Sequence, residues 1–145
     1  MAVKETKDVV GERVSPMQAA LTAHNSLPSL EPSHSPSPGA LSGLWLGRVC
    51  RTASHEIGHC FGIDHCVSYA CCMQGTASII EDARQPPYLC PVDLAKILMA
   101  TGADERERYV NMAKFCGKFP EVQLFKALGA WIEGRVGELD CDIGV

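Results

Sequence analysis

The stretch His55-Glu56-Ile57-Gly58-His59-Cys60-Phe61-Gly62-Ile63-Asp64-His65 decides how the rest of the chain is read. Val49, Ala53, Ile57 and Phe61 recur every four residues, which is one stripe of a helix beginning near Leu44. At 100° per residue the same helix sets Arg48, Thr52, His55 and His59 on the opposite side. Two histidines four apart stack their imidazoles one above the other, close enough for two nitrogens to reach one ion at about 2.0–2.1 Å. Gly62 can adopt the left-handed backbone that ends helices, so the chain turns back and His65 arrives as a third ligand. Three protein ligands leave a fourth tetrahedral position for water, the layout of a catalytic zinc site. Zinc lowers the pKa of water there to about 7, and Glu56 is placed to take the proton and deliver it to a leaving amine. This is the chemistry of amide hydrolysis. The competing reading is that the histidines are structural. Three His, one Glu and one Gly at fixed places arise by chance in such a chain with probability on the order of 10⁻⁵, which favours metal binding.

Composition narrows the classes around this motif. A chain of 145 residues with 46% hydrophobic and 21% charged residues suits one globular domain. The net charge of −4, mixed in sign, offers neither a basic stripe for nucleic acid nor a polybasic membrane patch. The N-terminus carries charges of both signs with no apolar run behind it, and no stretch has the length of a membrane span. The expectation is an intracellular, cytoplasmic protein. In a reducing compartment, clustered cysteines read as metal ligands rather than disulfides. Five of the eight, Cys60, Cys66, Cys71, Cys72 and Cys90, fall in the middle third beside three of the five histidines. Cys50, Cys116 and Cys141 stand apart and read as small apolar residues or incidental thiols.

Outward from the motif, residues 25–39 run NSLPSLEPSHSPSPG, with nine of fifteen Ser or Pro, and read as a linker. Before it, Met17, Ala19, Ala20 and Leu21 follow Pro16, a residue suited to a helix start, but the helical signal is weak. Residues 1–43 are therefore expected to form a poorly structured N-terminal segment, with the zinc-binding unit at 44–145. Residues 63–90 hold turn residues and cysteines with no period, and read as loop. Pro91 opens a second helix stopped at Gly102, and a third runs from about Ala103 to Gly117 with Tyr109, Val110, Ala113 and Cys116 on one side. A fourth follows Pro120, with Val122, Phe125, Leu128, Ile132 and Val136 facing inward. No strand pair is apparent.

The pattern H-E-x-x-H-x-x-G-x-x-H followed directly by Cys66 resembles the archaemetzincin family, M54-like members of the metzincin zinc metallopeptidases. Cys66-x4-Cys71-x-Met73-Gln74-Gly75, then Arg84, Pro86, Pro87 and Cys90-Pro91, is similar to that family's second motif, and the likeness runs from about Leu46 to Leu98. The resemblance implies an α+β fold, here mainly α, with the zinc helix followed by a Cys-rich loop and C-terminal helices. It implies peptide or protein as substrate, an aminopeptidase being one form, and Met73 as an apolar floor beneath the histidines. It also implies a second, structural zinc on four cysteines, which map to Cys66, Cys71, Cys90 and position 93. Position 93 is Asp. Zinc accepts a carboxylate, but the first turn of a helix also favours an acidic residue by its dipole alone. Cys72 would point away and pack. The family's N-terminal sheet is expected to be reduced or missing, since only 43 residues precede the zinc helix. Three readings stay open: an active zinc peptidase, a zinc-binding remnant without activity, and a disulfide-stabilised protein with incidental histidines.

Overall fold

A computed structural model describes residues 14–26 and 37–142. Most of the expected linker, and the first 13 residues, lie outside the described residues. Among those described, all regular structure is helical: α1 Pro16–Asn25, α2 Pro38–Cys60, α3 Ile79–Arg84, α4 Pro91–Thr101, α5 Glu105–Cys116 and α6 Gln123–Asp142. The sheet implied by the family resemblance has no counterpart there.

Local chemistry sets the helix ends. The Ser15, Ser37, Ser78 and Asp104 side chains each accept a backbone N–H of the first turn of α1, α2, α3 and α5, satisfying donors that have no partner inside the helix. Pro16, Pro38 and Pro91 occupy first-turn positions, where a missing N–H costs nothing. Gly102, at φ 66°, closes α4.

α6 is the spine. α1 runs antiparallel along it, with Pro16 against Gly134 at one end and Gln123 Nε2 donating to the His24 carbonyl at 3.2 Å at the other. A Cβ on Gly134 would stand 2.8 Å from Pro16 Cα, so the close approach requires glycine. α5 packs on α6, and the start of α2 crosses its first turn, with Gly43 against Val122 and Gly47 against Leu124. The larger core comprises Leu94, Tyr109, Cys116, Val122, Phe125, Leu128 and Ile132. Phe115, Phe119 and Phe125 meet edge-on or tilted at its margin, and Trp131 stacks on Tyr88 with centroids 5.0 Å apart. On α6 the expected inward face is the buried one, with Val136 half-buried at its end, and on α5 Tyr109 and Cys116 are buried while Val110 and Ala113 are half-buried.

Three expectations change. α2 begins at Pro38, earlier than Leu44, because Ser37 and Pro38 form a cap at the end of the Ser/Pro tract. The segment expected as loop contains the one-and-a-half-turn α3, too short to show a period. Most consequentially, the Val49, Ala53, Ile57, Phe61 stripe of α2 faces outward: Val49 is 55% and Ile57 54% exposed. What α2 buries is Gly47, Arg51 and Gly58.

Candidate metal centres

The last two turns of α2 carry His55 and His59, with His55 half-buried. Beyond them the chain reverses at Gly62, whose φ of 77° belongs to the left-handed region, and Ile63 N donates back to the Gly58 carbonyl at 3.2 Å. His65 is thereby returned over the end of the helix, where it is exposed. One ring nitrogen from each of His55, His59 and His65 lies within 4.8 Å of the others. The expected triad is brought together.

Ring orientation follows from the opposite nitrogens. His55 Nδ1 lies 2.8 Å from the Cys72 carbonyl and His59 Nδ1 2.7 Å from the Ile63 carbonyl. A carbonyl only accepts, so each Nδ1 carries the proton and each Nε2 is left as a lone pair. The two Nε2 atoms are 3.1 Å apart. Tetrahedral zinc with bonds of about 2.0–2.1 Å separates two nitrogens by about 3.3 Å, so the donor set fits this ion. Glu56 lies on α2 between the two ligand positions and is exposed.

The turn 72–75 shapes the floor. Met73 is fully buried and runs against Gly58, where a Cβ would meet its sulfur at 2.3 Å. Gly75 backs His65, where a Cβ would stand 2.9 Å from Nδ1. The unspecified third residue between the paired histidines is therefore glycine for a packing reason. The Met73 reading as an apolar floor agrees with its burial.

A second cluster lies behind this floor. One ligand atom from each of Cys66, Cys71, Cys90 and Asp93 falls within 4.8 Å of the others, three of the four residues being buried. Cys71 Sγ receives the N–H groups of Cys90 at 3.2 Å and Met73 at 3.4 Å, and Cys90 Sγ that of Asp93 at 3.4 Å. Asp93 Oδ2 accepts from the Cys71 and Cys90 thiols, and Oδ1 from Lys96 Nζ at 2.9 Å. Burial pushes the Cys71 thiol up to about 12, against backbone N–H bonds that pull it down, and burial raises Cys90 as well. Burial opposes ionisation of Asp93 too, but bonds from Lys96, Cys71 and Cys90 outweigh it and hold the carboxyl below its usual value. A cation among these groups reverses the balance for the thiols, because ligation deprotonates them outright. The donor set of three sulfurs and one carboxylate suits zinc. Cys66, Cys71, Cys72 and Cys90 are free thiols, and Cys72 points away, its Sγ donating to the Arg51 carbonyl.

Two residues absent from the motif reading support the histidine site. Arg51 is 8% exposed and Gln85 7%. Arg51 precedes His55 by one turn and so shares its face, the one signal in the sequence that pointed to it. Gln85 carried no such signal.

A groove of about 750 Å³ lies on another side of α2, lined among others by Cys50, Ser54, Ile57, Glu107, Phe115 and Leu124. Neither Glu56 nor any of the three histidines lines it. Among the described residues no helix is long and apolar enough to cross a membrane.

Comparison with known proteins agrees with this arrangement. The model of Peptidase family M54 matches residues 7–98. The chain is 41% identical over 75 residues to archaemetzincin-2 of Macaca fascicularis and of Homo sapiens, covering 52% of this chain and 21% of each relative. It is 34% identical over 62 residues to the archaemetzincin of Aeropyrum pernix, covering 43% of this chain and 34% of that protein. The chain thus spans about a fifth of the length of the archaemetzincin-2 relatives. No solved structure matches it. With its triad, its cysteine cluster and nearly two thirds of its length matched, the chain belongs to peptidase family M54, the archaemetzincins.

Proposed function

We propose that the chain is the zinc-binding part of a metallopeptidase, with zinc held by His55, His59 and His65 and Glu56 as general base. The observation that carries this reading is the convergence of three imidazole nitrogens, two of them with their partner Nδ1 atoms tied to carbonyls. Zinc, when bound, supplies Lewis acidity toward a substrate carbonyl and acidifies water. Glu56 accepts the proton of that water and returns it to the leaving amine of a peptide or protein. His55 and His59 hold their Nε2 lone pairs toward one point, and the Cys72 and Ile63 carbonyls keep those two rings from turning. Cys66, Cys71, Cys90 and Asp93 hold a second zinc with a structural role. The catalytic unit runs from α2 through α6. An intracellular compartment, which keeps thiols reduced, suits this donor set. Removal of single residues from the N-terminus of a substrate, aminopeptidase action, is one form of hydrolysis that the family resemblance allows.

A second reading, zinc binding without turnover, is favoured by one observation: the groove on α2 lies away from the histidines, lined by other residues. One experiment separates the two. Glu56→Ala is expected to lower kcat/KM for peptide cleavage by about 10²–10⁴-fold while the zinc content stays at two per chain. Unchanged cleavage removes Glu56 from the chemistry, and zinc binding without chelator-sensitive turnover in the unaltered chain selects the second reading. In the same preparations Asp93→Ala is expected to lose one zinc of the two.

A further inference from the structure

We propose that Gln85 is a positioning residue for the histidine site, locking the 72–75 turn so that His55 presents Nε2 to the metal. The proposal rests on the reading that His55, His59 and His65 hold zinc. Gln85 lies just past α3, thirty residues from His55 in sequence, yet its side-chain amide reaches the site. Its amide nitrogen donates to the Gln74 carbonyl at 2.6 Å and lies 3.2 Å from His55 Nδ1. Its backbone carbonyl accepts from Arg51 Nη1 at 3.2 Å, and its backbone N–H donates to the Asp82 carbonyl at 3.2 Å.

The turn it grips touches the triad residue by residue. The Cys72 carbonyl accepts from His55 Nδ1, Met73 fills the space over Gly58, and Gly75 backs His65. Between Met73 and Gly75 stands Gln74, and its carbonyl is where Gln85 holds the turn.

Gln85 is itself anchored to the zinc helix. Asp82 Oδ2 receives Arg48 Nη2 at 2.8 Å and Arg51 Nη2 at 3.4 Å, two guanidiniums one turn apart on α2. Arg51 stays in this place although its Nε is buried with no hydrogen-bond partner among the described residues. A buried guanidinium carrying an unsatisfied N–H is retained where its remaining bonds matter, and those run to Asp82 and to the Ala83 and Gln85 carbonyls. The chain thus closes a loop from α2 through Arg51 and Gln85 to the turn and back to His55.

The test uses the full chain loaded with zinc, and reads the two zincs separately. A fluorescent chelator competes for zinc at the histidines, and an organomercurial releases zinc from the thiols. Gln85→Ala is expected to weaken zinc at the histidine site by about 10–100-fold, with the thiol-bound zinc and the thermal midpoint of the helical part unchanged. Gln85→Met, which keeps length and bulk but removes the donor, is expected to weaken it as much, and carries the test if the alanine variant does not fold. Unaltered affinity in Gln85→Met overturns the proposal, since bulk alone would then suffice. Equal weakening of both zincs overturns it too, because that is what general loosening of residues 66–90 produces. If His55→Ala leaves zinc binding unchanged, the triad reading fails first, and this inference with it.

Discussion

The two cores of this protein are made of different material. The larger one, between α4, α5 and α6, buries Leu94, Tyr109, Val122, Phe125, Leu128 and Ile132, large apolar side chains spaced along helices. The smaller one, under the histidine site, buries Ile63, Cys71, Met73 and Cys90, three of which carry sulfur, in a segment whose only regular element is the six-residue α3. The first core supplies its own stability by removing apolar area from water. The second gathers few carbons and many ligand atoms, so residues 61–90 depend on what those atoms bind. The helices around the larger core are expected to stand without metal, whereas residues 61–90, which supply His65 and the floor beneath the histidines, are expected not to.

Metal withdrawal should break this contrast most strongly. Structural zinc contributes about 10–16 kcal/mol to the folding of small zinc-binding peptides at neutral pH. Chelation is therefore expected to abolish amide-exchange protection across residues 61–90 while α5 and α6 stay protected. Hydrogen exchange read by mass spectrometry reports both regions in one sample. Persistent protection of the 61–90 amides after complete zinc removal would mean that the sulfur-rich core stands unaided.

The opposite perturbation strikes the larger core. Ile132 is fully buried in α6, and Ile132→Ala is expected to cost about 2–5 kcal/mol. Urea denaturation should show the lower midpoint. Zinc stoichiometry of the folded fraction should be unchanged, because neither ligand cluster draws a residue from α6. Zinc loss below the unfolding transition would show that the two regions are coupled more tightly than their composition indicates.

The sequence disclosed these regions unequally. The histidine triad was legible because its geometry is local: two positions one turn apart, a glycine that reverses the chain, and a third histidine within reach. The cysteine cluster was legible through its family spacing, and Asp93 converges with the three thiols as the mapping required. α6 was legible because an unbroken apolar stripe met a large core. For α2 the period was right but the buried side was not. Its closest approaches are made at Gly43, Gly47 and Gly58, which admit Val122, Leu124 and Met73, and a glycine leaves no mark in a hydrophobic pattern. Gln85 was invisible, and Arg51 marked only by its place one turn before His55, for a related reason. A buried polar residue is justified only by its partners, and these lie about thirty residues away.

Those glycines offer the finest comparison of the two cores, since the same substitution can be made against each. Glycine within a helix costs about 1 kcal/mol relative to alanine, so Gly→Ala gains that much wherever the methyl finds room. At Gly47 the new Cβ would lie 3.0 Å from Leu124 Cδ2, the tip of a half-buried side chain at the edge of the larger core. Leu124 can shift, and Gly47→Ala is expected to change stability by less than about 1 kcal/mol. At Gly58 the Cβ would lie 2.3 Å from Met73 Sδ and 2.8 Å from Cε, and Met73 is fully buried. Relief requires the turn to move, at a net cost of about 1–3 kcal/mol. Because that turn carries the Cys72 carbonyl that holds His55, Gly58→Ala is also expected to weaken zinc at the histidines, and Gly47→Ala is not. Chelator competition on the two variants side by side decides the matter. Equal zinc affinity in both would show that the Met73 turn yields without disturbing the imidazoles, and that the floor is softer than its packing implies.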